Sequence, residues 1–507
     1  MLTLRAGMFQ LRDARAILRS GVQVTLDGDA REAVDRAAAV VAEIAARDAS
    51  VYGVNTGFGK LAHKRIPRDK LADLQRNLVV SHACGVGQLL PRDVVRLVLA
   101  LKVNSLARGY SGIRWSVIQT LLACLERDVL PAIPAQGSVG ASGDLAPLAH
   151  LSATLIGIGD AIVDGRRCAA AEALASAGIA PVALEAKEGL ALLNGTQVST
   201  ALALDGLIAT EDVLAASLVA CALSLEAALG SVTPFDPRIH AVRGHAAQSD
   251  VAAALRRLVA GTEINESHRD CGRVQDPYSL RCTPQVLGAC LHTIRDCAAV
   301  LIDEANAVSD NPLVFADTRE VLSGGNFHAE PVGLASDALA VALAEIGNIS
   351  ERRCALLVDP VFSGLPAFLA TEPGLESGYM IAQVTAAALA SENKGRAFPA
   401  SVDTIPTSAG QEDHVSMATH AARRLGEMAR NAANIVAVEL LSAARGIAFR
   451  RPLRTSDALE AVLSVIAPDG GGRGDRYLAP EIERVAALVL GGTLTPLVAD
   501  LFPTMRP

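Results

Sequence analysis

Residues 196–229 read TQVSTALALDGLIATEDVLAASLVACALSLEAAL. Apolar residues recur there at three- and four-residue spacing, which predicts a helix, and they occupy nearly every side of it. A helix that is apolar all round has to be buried, and this one is much longer than an average helix. We therefore expect a bundle of long helices, packed within one chain or against copies of it.

The same periodicity extends to most of the chain, at residues 31–47, 91–106, 284–308, 329–358 and 413–444. Strand-like alternation is confined to short candidates such as residues 22–26 and 161–166, and no internal repeat stands out. The sequence therefore predicts a mainly α fold, and the segment 468–475, rich in glycine, reads as a surface connection before a helical C-terminal cap.

Composition limits the class of protein. The chain has 507 residues, of which 50% are hydrophobic, 20% charged and only 3% aromatic, as expected of a large helical globular protein. A net charge of −8 with no run of Lys or Arg argues against a nucleic-acid partner. The nine cysteines include no Cys-x-x-Cys pair, which favours reduced thiols over disulfides or structural zinc.

The N-terminus MLTLRAGM lacks the basic and apolar regions of a secretion signal. Long charge-free runs such as residues 145–159 and 377–391 are shorter than the roughly 18 apolar residues of a membrane-spanning helix. We expect a cytoplasmic protein with no membrane partner.

Glycine, proline and asparagine interrupt the helices at a few loops, and the residues that could take part in chemistry lie on or beside these loops. One of them, residues 137–148, reads GSVGASGDLAPL. On pattern alone a Gly- and Ser-rich run before an apolar segment is typical of an ordinary loop and helix start.

Six motifs together change that interpretation. They are YGVNTGFG at 52–59, GSVGASGDLAPL at 137–148, NGT at 194–196, VQDPYSLRC at 274–282, GNFHAEP at 325–331 and QEDHVSM at 411–417. In their sequence and order they resemble the aromatic amino acid ammonia-lyase family over nearly the whole chain. The resemblance implies a fumarase/aspartase-like homotetramer, with a smaller N-terminal globular part at 1–110 and a helical bundle with a C-terminal cap at 111–507.

The resemblance also implies a prosthetic group made from the chain, 4-methylideneimidazol-5-one, by cyclisation of Ala141, Ser142 and Gly143. The residue types suit this reaction: Gly143 lacks a Cβ, so its nitrogen can approach the little-hindered Ala141 carbonyl, and Ser142 has a hydroxyl to eliminate. No external cofactor and no metal are implied. The sequence offers no pyridoxal, zinc, Walker or Gly-x-Gly-x-x-Gly signature as another electron sink.

By the same resemblance, Tyr52 abstracts or relays the β-proton of the substrate, and Tyr278 is a second active-site phenol. Arg281, three residues later, is implied to bind the substrate carboxylate, for which a guanidinium suits bidentate binding. Without the resemblance, Tyr52 would be interpreted as a buried structural tyrosine and Arg281 as a member of a surface ion pair.

Three further residues are assigned by resemblance alone. Asn194 and Gln275 are implied to hold the prosthetic group and the amino acid moiety of the substrate, although Asn-Gly-Thr by itself reads as a turn. Phe327 is implied to pack against the electrophilic ring and exclude water.

Two positions bear on specificity. His82 follows Ser81 as in histidine-directed members, although a lone histidine after an apolar run is more often a core or helix-end residue. Glu412 is the second, and it could also be an acid at a helix start. A carboxylate facing an imidazole has a partner, whereas one facing a benzene ring would be desolvated without compensation. The implied reaction is elimination of ammonia from L-histidine to give trans-urocanate, the first step of histidine breakdown.

Several points stay open on sequence. Either Tyr52 or Glu412 could take the β-proton, and the electrophile could engage the amine or the ring. Gly410, Glu376 and Phe398 depart from the usual family residues. The alternatives are a lyase or aminomutase acting on phenylalanine, tyrosine or another β-aryl amino acid and, in another class, a noncatalytic helical scaffold.

Overall fold

A computed structural model describes residues 1–46, 50–269, 272, 274–469 and 474–506. Helices account for 60% of the structure and strands for 7%, which confirms the predicted mainly α fold. Residues 470–473 of the predicted surface connection lie outside the described residues.

The helices follow one another as α1 (Leu11–Ser20), α2 (Arg31–Ala46), α3 (Leu71–His82), α4 (Arg92–Leu106), α5 (Trp115–Glu126), α6 (Leu145–Leu155), α7 (Ala170–Ser176), α8 (Glu188–Leu193), α9 (Gln197–Ala227), α10 (Pro237–Ala241), α11 (Ala246–Leu258), α12 (Glu263–Glu266), α13 (Tyr278–Arg281), α14 (Thr283–Ala305), α15 (Glu330–Val358), α16 (Pro360–Ser363), α17 (Met380–Arg396), α18 (Ala418–Ala448), α19 (Asp457–Ile466) and α20 (Ala479–Leu490). Short 3₁₀ turns lie between several of them.

The strands are β1 (Leu2–Leu4), β2 (Val24–Leu26), β3 (Val86–Leu89), β4 (Leu130–Pro131), β5 (Pro134–Gln136), β6 (Asp160–Val163), β7 (Arg166–Ala169), β8 (Leu313–Phe315) and β9 (Glu320–Leu322). β1 and β2 pair in parallel, with Leu2 opposite Val24. The other pairs, β3 with β5, β4 with β6, β6 with β7 and β8 with β9, are antiparallel. Among the described residues, each sheet has two or three strands.

One predicted helix begins later than expected. The periodicity indicated a start at Asp413, whereas α18 begins at Ala418. Met417 has a φ of 52°, a left-handed conformation that a right-handed helix cannot include. Glu412 therefore lies in a loop and pairs with Thr407 in an isolated antiparallel bridge, so the helix-start interpretation of this acid is wrong.

The chain forms two units. Unit 1 comprises Met1–Asp205, Ala298–Asp337 and Pro399–Arg423, and unit 2 comprises Gly206–Cys297, Ala338–Phe398 and Arg424–Pro507. This division differs from the boundary expected between residues 110 and 111. The packing of α4 on α5 continues unit 1 across that position, and four of the unit boundaries fall inside the long helices α9, α14, α15 and α18.

Within unit 1, an apolar cluster supports the loop that carries Tyr52. Val54 inserts its side chain among residues of α2 and against Val314 of β8. Gly53 has a φ of 77°, and a Cβ there would lie 2.6 Å from Pro312 Cδ. The loop is thus fixed by a buried anchor and a position that only glycine fits.

Within unit 2, the long helices bury polar groups as well as apolar ones. Arg353 and Glu439 have no exposed side-chain surface and pair at 2.5 Å between Nε and Oε1. The hydroxyls of Ser224 and Ser350 donate to the same carboxylate, so both oxygens of the buried Glu439 are hydrogen-bonded.

In the part of the chain that the structure describes, four segments are long and apolar enough to cross a membrane on length and composition, contrary to the expectation from charge-free runs: α9, α14, α15 and residues 479–501. The apolar window of α9 is 100% buried inside the protein and that of α15 is 72% buried. Burial among other helices therefore accounts for the composition of these two.

Candidate active site

The loop at residues 137–144 connects β5 to α6 and packs against the turn between α8 and α9. Gly143 has a φ of 71°, and a Cβ there would lie 2.2 Å from the carbonyl oxygen of Gly195. The Asp144 amide donates to that same oxygen at 2.7 Å. Only glycine fits at position 143, because any side chain would push the two backbones apart.

The other side of this loop is held by the segment that leads into α18. Ser416 Oγ donates to the Gly140 carbonyl at 2.9 Å, and the Met417 amide donates to the Val139 carbonyl at 2.8 Å. Ala141 is only 3% exposed. The Ala-Ser-Gly tripeptide is consequently confined from both sides.

Asp144, to which no role was assigned from the sequence, fixes the end of the loop. Its buried carboxylate accepts hydrogen bonds from the Ser199 amide and hydroxyl, from Thr419 and from Ser138, at 2.6 to 3.0 Å. Burial raises the pKa of Asp144, and these hydrogen bonds oppose the rise.

Asn194 reaches the loop through its side chain. Its Nδ2 donates to the Ser142 carbonyl at 2.7 Å. Its backbone carbonyl accepts a hydrogen bond from the buried ammonium of Lys102 at 2.8 Å. Sequence reasoning missed Lys102, although a lone lysine in the apolar stretch VVRLVLALKVNSL of residues 94–106 is a detectable signal.

Glu412 contacts the central residue of the tripeptide. Ser142 Oγ donates to Glu412 Oε1 at 3.0 Å, and Thr407 Oγ1 donates to Oε2 at 2.8 Å. Burial favours the neutral acid, but hydrogen bonds from Ser408, Thr407 and Ser142, together with nearby His82, lower the pKa of Glu412 below its ordinary value. The group is therefore a carboxylate near neutral pH.

His82 is the last residue of α3. Its Nδ1 lies 2.8 Å from the Leu78 carbonyl, which can only accept, so Nδ1 carries the proton. In the neutral ring this leaves Nε2 as an acceptor. The helix-end position matches the structural interpretation of a lone histidine, and the ring nevertheless lines the cavity described next.

A cavity of about 980 Å³ in unit 1 brings most of the predicted site residues together. Its lining includes seven of them: Tyr52, His82, Ala141, Ser142, Asn194, Phe327 and Glu412. Tyr52 is half-buried, and its hydroxyl accepts a long hydrogen bond of 3.5 Å from the Gly59 amide. The carboxylate of Glu412, the imidazole of His82, the amide of Asn194 and the phenol of Tyr52 thus line a space large enough for an amino acid.

Gly143 lies beside this cavity in unit 1, and the other three predicted residues, Gln275, Tyr278 and Arg281, lie in unit 2. Arg281 Cζ lies 4.1 Å from the ring centroid of Tyr278 on α13, which is a cation–π contact, and Tyr278 is 70% exposed. Gln275 and Arg281 line a separate cavity of about 840 Å³ within unit 2.

One group of side chains among the described residues has ligand atoms close enough to hold a metal ion. His328, Glu330 and His414 place these atoms within 4.8 Å of one another. His414 Nδ1 and His328 Nε2 are 3.2 Å apart and pair in a hydrogen bond, so the arrangement is accounted for without an ion.

Two of the three departures from the family pattern, Gly410 and Glu376, have local structural roles. Gly410 has a φ of 79° with open space around its Cα, so glycine suits this turn. Glu376 accepts hydrogen bonds from the Thr371 and Glu372 amides, and Phe398 is largely exposed. None of the three is among the residues lining the 980 Å³ cavity.

Comparison with known proteins identifies relatives over nearly the full length. The family model for aromatic amino acid lyase matches residues 9–468. A histidine ammonia-lyase of Burkholderia pseudomallei (strain 668) is 60% identical over 501 residues, covering 98% of this chain and 99% of the relative.

Two solved structures have the same fold. The crystal structure of histidine ammonia-lyase from Trypanosoma cruzi has a TM-score of 0.91 at 39% identity, covering 99% of this chain and 96% of the other. That of a tyrosine aminomutase from Streptomyces globisporus has a TM-score of 0.93 at 33% identity, with 98% of each chain covered. Backbone similarity alone therefore does not separate histidine from tyrosine as substrate.

Proposed function

The chain belongs to the aromatic amino acid lyase family, and from this premise we propose that it forms its own electrophile from Ala141, Ser142 and Gly143. It is a carbon–nitrogen lyase that eliminates ammonia from L-histidine and releases trans-urocanate, the first step of histidine degradation. The observation that carries the proposal is the confinement of Gly143 against Gly195, with Ser142 hydrogen-bonded to Glu412.

Cyclisation joins the Gly143 nitrogen to the Ala141 carbonyl carbon. The Ala141 carbonyl oxygen leaves as one water with the amide hydrogens of Gly143 and Ser142, and a ring C=N bond forms. A second water takes the Ser142 hydroxyl and the Ser142 α-hydrogen, which leaves 4-methylideneimidazol-5-one. The surroundings fit this product: position 143 has no room for a Cβ, and the Asn194 amide donates to the Ser142 carbonyl, which the ring would retain. When formed, the group supplies the electron sink for loss of a poor leaving group and a weakly acidic proton.

The chain's own groups would supply the acid–base chemistry. Tyr52 and Glu412 both line the cavity, and either could accept the β-proton of the substrate. We favour Tyr52 as the base, because the ionised Glu412 is then available to pair with the imidazole N–H of the substrate. His82, with Nε2 as an acceptor, would contact the same imidazole ring, and Phe327 would exclude water.

The carboxylate of the substrate requires a cation, for which we propose Arg281, with Gln275 and Tyr278 beside it. Tyr278 is exposed and Arg281, which packs on its ring, is half-buried, so this pair could face another subunit. We accordingly propose a homotetramer whose sites combine residues of more than one subunit. The eight described cysteines are free thiols, which supports a cytoplasmic enzyme. The proposal includes no nucleic-acid partner, no membrane partner and no metal.

A second candidate function is action on another β-aryl amino acid, since a tyrosine aminomutase has the same fold. The Glu412 carboxylate argues against phenylalanine, because a phenyl ring offers this charge no partner, whereas tyrosine is distinguished by the substrate comparison below. A noncatalytic scaffold is the candidate of another class, and it predicts that the chain keeps both waters.

The test is to mix the purified protein with L-histidine and follow the ultraviolet absorbance of the conjugated product, with L-phenylalanine and L-tyrosine in parallel. Ser142→Ala should reduce turnover by about a thousandfold or more, because it removes the electrophile. Ser176→Ala, which deletes a hydroxyl bonded only within α7, is the matched control and should keep full activity. Turnover of phenylalanine or tyrosine but not histidine would overturn the substrate, and an active Ser142→Ala chain would overturn the prosthetic group.

A further inference from the structure

Lys102 is a buried ammonium without a carboxylate in direct contact among the described residues. It is 1% exposed and donates to the Asn194 carbonyl at 2.8 Å and to Gln197 Oε1 at 3.4 Å. The other fully buried lysine of unit 1, Lys187, instead pairs with Asp310 at 2.8 Å. Burying a charge that lacks an ionic partner is unfavourable, so a charged Lys102 lowers stability. A role other than stability would account for its position.

The hydrogen bonds of Lys102 lead to the turn at residues 194–197. Ser309 Oγ accepts from the Thr196 amide at 3.2 Å and from Gln197 Nε2 at 3.0 Å on the same turn. Glu304 accepts from the Thr196 hydroxyl at 2.5 Å. The turn is thus held by buried polar groups, and Lys102 is the cation among them.

The opposite side of this turn contacts the tripeptide that we propose to cyclise. Asn194 Nδ2 donates to the Ser142 carbonyl, and the Gly195 carbonyl accepts from the Asp144 amide. Gly143 pairs with Gly195 in an isolated parallel bridge. Asn194 therefore accepts the hydrogen bond of Lys102 on its backbone carbonyl and donates a hydrogen bond to the Ser142 carbonyl from its side chain.

We propose that Lys102 is a positioning residue for the prosthetic group: its ammonium fixes the Asn194–Gly195 backbone so that the turn confines Ala141, Ser142 and Gly143 for cyclisation. A charge-assisted hydrogen bond to a carbonyl is stronger and more directional than a neutral one, which suits this task. The inference rests on the proposed self-made electrophile.

The experiment compares Lys102→Met with wild type and with Arg96→Met. Arg96 lies on the same helix, α4, is 1% exposed and donates to the Leu125 and Val22 carbonyls and to Asp128. It is therefore a buried cation of the same helix that has no contact with the 194–197 turn. Intact mass gives the fraction of chains that have lost two waters, and thermal unfolding gives stability.

Lys102→Met should cyclise about tenfold to a hundredfold more slowly than wild type, the factor expected for one hydrogen bond to a charged group. Below about pH 7, where Lys102 is charged, the unfolding temperature of the variant should not fall, because methionine of similar volume removes an unpaired buried charge. Arg96→Met should lose stability, since it leaves the carbonyls of Leu125 and Val22 without this donor, and should cyclise at the wild-type rate. Lys102→Gln, which keeps an N–H donor without the charge, should lie between Lys102→Met and wild type and serves if the methionine variant is insoluble.

Cyclisation of Lys102→Met and Lys102→Gln at the wild-type rate would overturn the positioning role. So would equal slowing in Lys102→Met and Arg96→Met, which would mean that the effect follows general destabilisation. A wild-type chain that retains both waters would instead refute the proposed electrophile itself, so the two failures are distinguishable.

Discussion

Glu412 illustrates how a single residue combines structure with specificity. Its carboxylate accepts hydrogen bonds from Ser142 and Thr407, and its pKa is below the ordinary value, so a charge is kept beside a cavity lined partly by apolar groups. The sequence identified the residue as a specificity marker. It could not show the Ser142 contact, because residues 142 and 412 are far apart in the chain.

Glu412→Gln tests this role directly. The amide keeps the size of the side chain but loses the charge, so kcat/KM for L-histidine should fall about tenfold to a hundredfold, as expected for loss of a hydrogen bond to a charged group. Initial rates by ultraviolet absorbance, divided by the cyclised fraction from intact mass, provide the measurement. An undiminished rate per cyclised chain would exclude a contact between Glu412 and the imidazole.

Lys102 should also give stability a defined pH dependence. Burial lowers its pKa from 10.5 to about 7, with nearby Lys187 lowering it further and Asp310 and Asp144 opposing. Between these two values the unfolded chain binds one proton more than the folded chain, so raising the pH favours folding. Below about 7 both states are charged, and the contribution of this residue does not change.

The measurement is the free energy of unfolding by denaturant, taken as wild type minus Lys102→Met so that all other titrations cancel. This difference should increase from about pH 7 to about pH 10 and be flat at lower pH. A difference independent of pH across that range would mean that Lys102 keeps its ordinary pKa in the folded protein.

At the scale of elements, the site depends on two loops whose backbones touch. The turn between α8 and α9 meets the loop between β5 and α6 at Gly143 and Gly195, where no side chain fits. Glycine-rich patterns indicated both loops in the sequence. Their mutual contact follows from the packing of α6 on α8, which connects segments about 50 residues apart.

Gly143→Ala should block cyclisation, because its Cβ would lie 2.2 Å from the Gly195 carbonyl oxygen. Gly165→Ala is the matched control: its φ of 73° is equally left-handed, but nothing lies within 4 Å of the new Cβ. Both variants carry about 1 kcal/mol of backbone strain, and only the first carries the clash. Intact mass should show two waters retained in Gly143→Ala alone, and cyclisation of both would disprove the steric argument.

At the scale of the whole molecule, the predicted site residues divide between two units. Tyr52, His82, Asn194 and Glu412 lie in unit 1, and Arg281 lies in unit 2. The predicted boundary at residues 110 and 111 could not anticipate this division, because the unit boundaries fall inside continuous helices that the hydrophobic pattern does not interrupt.

Co-expression of two inactive chains tests the proposed sharing of sites between subunits. Ser142→Ala and Arg281→Met should each be inactive alone. If one site takes Ser142 and Arg281 from different subunits, random assortment restores both groups in about a quarter of the sites of mixed tetramers. Activity of the co-purified mixture, with light scattering for the oligomeric state, gives the answer, and complete inactivity in mixed tetramers would place both residues in the same subunit.

The sequence by itself determined the mainly α fold, the positions of most long helices and the motifs that relate the chain to its family, because hydrophobic periodicity and short motifs are local properties. Only the tertiary structure decided which loops meet: the confinement of Gly143 by Gly195, the hydrogen bond from Ser142 to Glu412 and the burial of Lys102 beneath Asn194. The start of α18 at Ala418 was also outside the reach of the pattern, since the left-handed Met417 is imposed by its contact with the 137–144 loop. These features join residues distant in the chain, and their free energies arise from packing and desolvation, which no local pattern encodes.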